Sequence, residues 1–117
     1  MAKILIVDDE PLIAMMLSEW LLEQGLEPIG PAHSEAQAFD LLKGVGPDAA
    51  ILDVSLGDSD CFAIADALQE RGVPFAFATG HGSDAVAREY RGVMTLTKPF
   101  DFEAVRSVVM RLIGTAV

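Results

Sequence analysis

Ile4-Leu5-Ile6-Val7-Asp8-Asp9-Glu10-Pro11 is the stretch whose reading decides the fold. Four consecutive apolar residues of high β preference predict a strand buried on both faces, because a half-exposed strand would alternate. The three acids that follow supply N-cap candidates, and Pro11 suits the first helical position, where a missing N–H is tolerated. Ile13, Met16, Leu17, Trp20 and Leu21 then recur at helical spacing until Gly25 stops the helix.

The same alternation continues outward to the end of the chain. Glu27 to Ala32 contains Pro28 and Pro31, which cannot donate to a ladder, so this second strand is expected at a sheet edge. Ser34 opens a helix carrying Ala38, Leu41 and Leu42, closed by Gly44. Ala49-Ala50-Ile51-Leu52 is a third strand ending at Asp53, followed by a loop with Gly57 and a helix with Phe62, Ala65 and Leu68. Phe75-Ala76-Phe77-Ala78 is a fourth buried strand ending at Thr79. A short helix is expected over 83–90, a mixed edge strand over 93–97, and a last helix burying Val105, Val109, Leu112 and Ile113. Strands alternating with helices imply right-handed βαβ units and a parallel sheet covered on both faces. The all-apolar strands belong in the centre. The expected fold is therefore α/β, a flavodoxin-like (βα)5 doubly wound sheet with strand order 2-1-3-4-5. Residues 1–117 are expected to form a single domain without an output domain.

Composition narrows the partners. Eight Lys and Arg against 18 Asp and Glu leave a net charge of −10, which disfavours direct binding to nucleic acid or to anionic lipid. The one cysteine, Cys61, excludes an intramolecular disulfide and suits a reducing compartment. The apolar run 4–7 is too short for a signal peptide or a membrane span, so a soluble, cytoplasmic protein is expected.

In an open parallel sheet, ligands bind beyond the carboxyl ends of the strands where the winding reverses. Here that point lies between the first and third strands, which end in Asp8-Asp9 and Asp53. The neighbouring strands end in Thr79 and Lys98. Three carboxylates brought together repel, by roughly 4 kcal/mol per pair at about 4 Å and an effective dielectric near 20. A cation or a proton must offset this. Mg²⁺ suits such a hard oxygen set, with Mn²⁺ as a substitute. Lys98 adds a fixed positive charge, the Thr79 hydroxyl can donate to a phosphoryl oxygen, and an aspartate can accept a phosphoryl group as an acyl phosphate.

Val7-Asp8-Asp9, Leu52-Asp53, Ala78-Thr79-Gly80 and Thr97-Lys98-Pro99-Phe100, in this order and spacing, resemble the receiver domains of two-component response regulators, over essentially the whole chain. The resemblance implies that Asp53 is the phosphoacceptor and that Asp9 ligates the metal. Asp8 would act through water, and the backbone carbonyl of Ser55 would complete the protein ligands. It implies a cis bond between Lys98 and Pro99 that aims the lysine. It also implies a phosphohistidine donor, either a histidine kinase or a histidine phosphotransferase. A downstream protein partner is implied too, and dimerisation of the phosphorylated form is a further expectation. The chain would act on its own aspartate, by self-catalysed phosphorylation and autodephosphorylation, rather than turn over a substrate. Phe77-Ala78-Thr79-Gly80 further resembles a stand-alone subset of receivers.

The chain also departs from the family pattern. Thr95 stands where many receivers carry an aromatic residue, so an aromatic rotamer switch is ruled out there. Gly57 and Cys61 replace a frequent proline and glycine, so the loop after Asp53 differs in shape. Ser55 and His81 occupy variable positions that, in the family, tune acyl-phosphate lifetime. Leu12 and Met15 form part of a second apolar row on the first helix and, with Pro99, are candidate docking residues for the phosphodonor.

Simpler roles exist for each part: an acidic cap on a helix dipole for residues 8–10, a solvated lysine, a loop histidine at 81, and a packed small hydrophobe at Cys61. Gly80-His81-Gly82 is no dinucleotide fingerprint. Two other functions compete. A haloacid-dehalogenase-like aspartyl-phosphate hydrolase would need a second aspartate where Ser55 stands, and a cap insertion that is missing. A pseudo-receiver binding module would not need the intact acid set.

Overall fold

The computed structural model describes residues 2–44, 46–56, 59–80 and 93–114. Strands β1 (Lys3–Val7), β2 (Glu27–Ala32), β3 (Ala49–Asp53), β6 (Phe75–Thr79) and β7 (Thr95–Thr97) form one parallel sheet in the order β2-β1-β3-β6-β7. Counted within this sheet alone, that is the expected 2-1-3-4-5. Helices α1 (Pro11–Glu23), α2 (Glu35–Gly44), α3 (Phe62–Glu70) and α4 (Phe102–Leu112) complete the described elements, with a small hairpin of β4 (Ser55–Leu56) and β5 (Ser59–Asp60).

The unbroken apolar run of β1 works as its sequence demands. Leu5 and Val7 join a core with Leu42, Leu52, Ile64, Leu68 and Phe77, on the side of α2 and α3. Ile4 and Ile6 point the other way, into a core with Leu17, Leu21, Ile51, Leu96, Val105 and Val109, on the side of α1 and α4. A strand flanked by two cores has no polar face, which is why no alternation appears. Cys61 is fully buried in the first of these cores, as expected of a small hydrophobe.

Local signals agree with the boundaries. Pro11 opens α1, and Gly25, at φ 77°, follows its end. Ser34 Oγ accepts the N–H of Gln37 at 3.2 Å, and Asp101 Oδ1 caps α4 by accepting the N–H of Ala104 at 2.8 Å. Three expectations need correction. The segment after Asp53, expected as a plain loop, folds back as the β4–β5 hairpin. The last strand covers only 95–97 of the expected 93–97. Leu112 and Ile113, expected to be buried, are only half-buried against the core. The expected helix over 83–90 lies outside the described residues.

Candidate functional site

Four segments are brought to one end of the sheet by their strands, and backbone hydrogen bonds carry the register beyond the strand ends. The N–H of Asp8 donates to the Ala32 carbonyl at 2.9 Å, that of Val54 to Ala78 at 3.0 Å, and that of Lys98 to Thr79 at 2.8 Å. Asp8 and Lys98, and the residue that follows Asp53, are thus each tied to the backbone of a neighbouring strand. The Lys98–Pro99 bond is cis, as the resemblance implied; Gly30–Pro31 is cis as well.

The carboxylates of Asp8, Asp9, Glu10 and Asp53 each offer an oxygen within 4.8 Å of the others. Opposite them, Lys98 Nζ lies 3.4 Å from Asp8 Oδ2, 3.4 Å from Asp53 Oδ2 and 2.9 Å from Glu10 Oε1. Asp8 and Asp53 are buried. Asp8 Oδ1 accepts the N–H of Glu10 at 2.9 Å, and Asp53 Oδ1 that of Ser55 at 3.3 Å. Between these groups opens a cleft of about 330 Å³ lined by Asp9, Glu10, Asp53, Ser55, Gly80 and Lys98.

The electrostatics follow from this crowding. Burial, and then the charge of Asp8, push the Asp53 carboxyl up to about 7, against the opposing pull of Lys98 and of the Ser55 N–H. Burial alone would lower the Lys98 ammonium, but Glu10, Asp8 and Asp53 outweigh it and raise it above its ordinary value. Burial, with Asp60 and Asp53 nearby, pushes the Cys61 thiol up to about 12, so it stays protonated and unreactive. Asp8 Oδ2 is buried without a hydrogen-bond partner. A buried carboxylate oxygen with no hydrogen bond and only an ion pair to Lys98, a carboxyl resisting ionisation and a donor set made of oxygens fit a hard divalent cation.

Asp9, Asp53, Ser55 and Lys98 therefore line one cleft, with Asp8 buried next to it against Lys98. Thr79 is buried at the end of β6, directly before Gly80 of the cleft wall. Thr95 is half-buried on β7, paired with Phe77 and lining, with Pro99 and Phe100, a separate shallow groove. Leu12, Met15 and Leu22 are exposed on α1, and Pro99 is exposed beside Lys98. His81 and Gly57 lie outside the described residues.

Two residues had no site role in the sequence reading. Glu10 was only a cap candidate; it stands at the N-cap position of α1, yet its side chain makes no cap hydrogen bond and reaches Lys98 instead. The contiguity of Glu10 with the acid pair was its available signal. His33 Nδ1 lies 2.9 Å from the backbone carbonyl of Asp8, a contact no local motif announces.

A doubly wound parallel α/β domain with an acidic, lysine-faced cleft at its switch point is a flavodoxin-like domain of the receiver class. The chain belongs to the response regulator receiver domain family, whose model matches residues 4–110. It is 37% identical over 110 residues to the sensory transduction protein LytT of Bacillus cereus, a match covering 90% of this chain and 44% of LytT. It is 28% identical over 114 residues to the sporulation initiation phosphotransferase F of Bacillus subtilis, covering 93% and 91%. The solution structure of SdrG from Sphingomonas melonis superposes with a TM-score of 0.84 at 40% identity, over 97% of both chains. The chain spans about half the length of the first curated relatives it matches. The hydrolase and binding-module alternatives are not favoured by these matches. Among the described residues, no helix is long and apolar enough to cross a membrane.

Proposed function

We propose that Asp53 accepts a phosphoryl group from the phosphohistidine of a histidine kinase or histidine phosphotransferase. The domain then signals to a downstream protein by a change of conformation. The carrying observation is the placement of Lys98 Nζ 3.4 Å from both the Asp53 and Asp8 carboxylates, across a cleft at the strand ends. A carboxylate oxygen of Asp53 attacks phosphorus, the P–N bond breaks, and the imidazole leaves with its electron pair. Lys98 is placed to balance the incoming charge, and Thr79, one residue before the cleft wall, to meet a phosphoryl oxygen with its hydroxyl. Asp9, Asp53 and the Ser55 carbonyl would hold Mg²⁺ directly and Asp8 through water; when bound, the ion neutralises phosphoryl charge as a Lewis acid. Mn²⁺ would serve in its place. Hydrolysis of the acyl phosphate by water resets the switch, with Ser55 on the cleft wall, and His81 by the family resemblance, tuning the lifetime.

Because Thr95 replaces the aromatic of many receivers, the output would run through Thr79 and the segment after it, and self-association of the phosphorylated form would use the face around β7. The relation to a phosphotransferase of nearly equal length supports onward transfer to a second histidine as one output. The likeness of Phe77-Ala78-Thr79-Gly80 to stand-alone receivers supports a single-unit reading of residues 1–117, in the cytoplasm.

Incubation with acetyl phosphate and Mg²⁺, followed by intact mass, tests the proposal. One added phosphoryl group on the wild type and none on Asp53→Asn is expected. No gain on the wild type, or an equal gain on the variant, overturns it.

A further inference from the structure

The shortest ion pair at the cleft does not involve the proposed acceptor. Lys98 Nζ lies 2.9 Å from Glu10 Oε1 but 3.4 Å from Asp53. The Glu10 side chain is 57% exposed, so the pair sits at the rim, where its strength depends on solvent and salt. Glu10 also forgoes the helix cap that its position offers, while Asp8 Oδ1 binds its N–H and fixes where its side chain starts. These features describe a side chain held to reach one partner.

We infer that Glu10 is a positioning residue that holds Lys98 at the rim in the unphosphorylated state and competes with the phosphoryl group for its ammonium. The inference deepens the reading of Asp53 as acceptor and rests on it. A phosphoryl group on Asp53 brings close to two negative charges into the cleft. Lys98 then has a stronger partner, and a Glu10 carboxylate left at the rim faces like charge. Both effects disfavour the phosphorylated state relative to a chain with a neutral residue at position 10. Glu10 would thus set how readily the domain fills and how soon it empties.

The test measures phosphorylated fraction and half-life after acetyl phosphate treatment, at saturating Mg²⁺, for wild type, Glu10→Gln and Glu10→Asp. Glu10→Gln removes the charge. Glu10→Asp keeps the charge but retracts it by one methylene, out of reach of Lys98. The expected result is a half-life lengthened about two- to fivefold in both variants, the range of a rim ion pair, with the difference shrinking as salt rises. An unchanged half-life in Glu10→Gln overturns the inference. So does Glu10→Asp matching wild type, because charge near the metal ligands would then be the cause rather than the grip on Lys98. Failure of the wild type itself to gain phosphate would instead overturn the acceptor reading.

Discussion

With its carboxyl pushed to about 7, Asp53 holds a proton in the folded chain at pH values where the unfolded chain, near 3.8, has lost it. The folded state binds more protons through that window, so the contribution of this residue to stability falls as pH rises from about 4 to about 7. This is opposite in sign to the usual paired carboxylate. In metal-free protein, Asp53→Asn should therefore be more stable than wild type by about 1–3 kcal/mol at pH 8 and by much less at pH 4.5, and Mg²⁺ should narrow the gap at pH 8. Urea unfolding at the two pH values measures it, and a gap of constant size would show that Asp53 ionises freely. At this scale most of the site was legible: Asp8, Asp9, Asp53, Thr79 and Lys98 each end or follow a strand, and strand ends are readable from where apolar runs stop. Glu10 was not, because an acid opening a helix can turn back to its own backbone or across to another strand. Only the position of Lys98 decides between them.

Elements were legible in proportion to their periodicity. The buried strands β1, β3 and β6 announce themselves by unbroken apolar runs, and α1 by its heptad-like face and its Pro11 and Gly25 ends. The β4–β5 hairpin was not, since two-residue strands contain no repeat to detect. On β2 the prolines correctly marked an edge, but the glycine between them carries more of the structure. Gly30 has φ 96°, and a Cβ there would approach the Ala32 backbone nitrogen to 2.7 Å and the Ile6 carbonyl to 3.2 Å. The register of β1 against β2 shifts in the same region, between Leu5 and Val7. Gly30→Ala should therefore lower stability by about 2 kcal/mol or more, from left-handed strain and backbone contact together. Thermal unfolding tests it, whereas Gly46→Ala, with open space around its Cβ position, serves as the tolerant comparison.

Across the whole molecule, α1 presents two opposed characters. Ala14, Leu17 and Leu21 are buried against the sheet, while Leu12, Met15 and Leu22 remain exposed at 76%, 53% and 60% on the other side. Leu12 lies two residues beyond Glu10, so a helix carrying a phosphohistidine could pack on this row and reach the cleft. Leu12→Ala combined with Met15→Ala should slow phosphotransfer from a phosphorylated donor protein about tenfold while leaving labelling by acetyl phosphate at wild-type speed. Equal loss with both donors would place the defect in the cleft instead. The strand-end residues at positions 8, 53, 79 and 98 have one more consequence. No contiguous peptide contains the candidate site, since its acids are supplied by the first half of the chain and its ammonium near the end, and only the finished sheet aligns them. A chain cut before β7 would carry the acidic side chains without the ammonium that faces them. If Asp53 is the acceptor, phosphate uptake would thereby double as a report of complete folding.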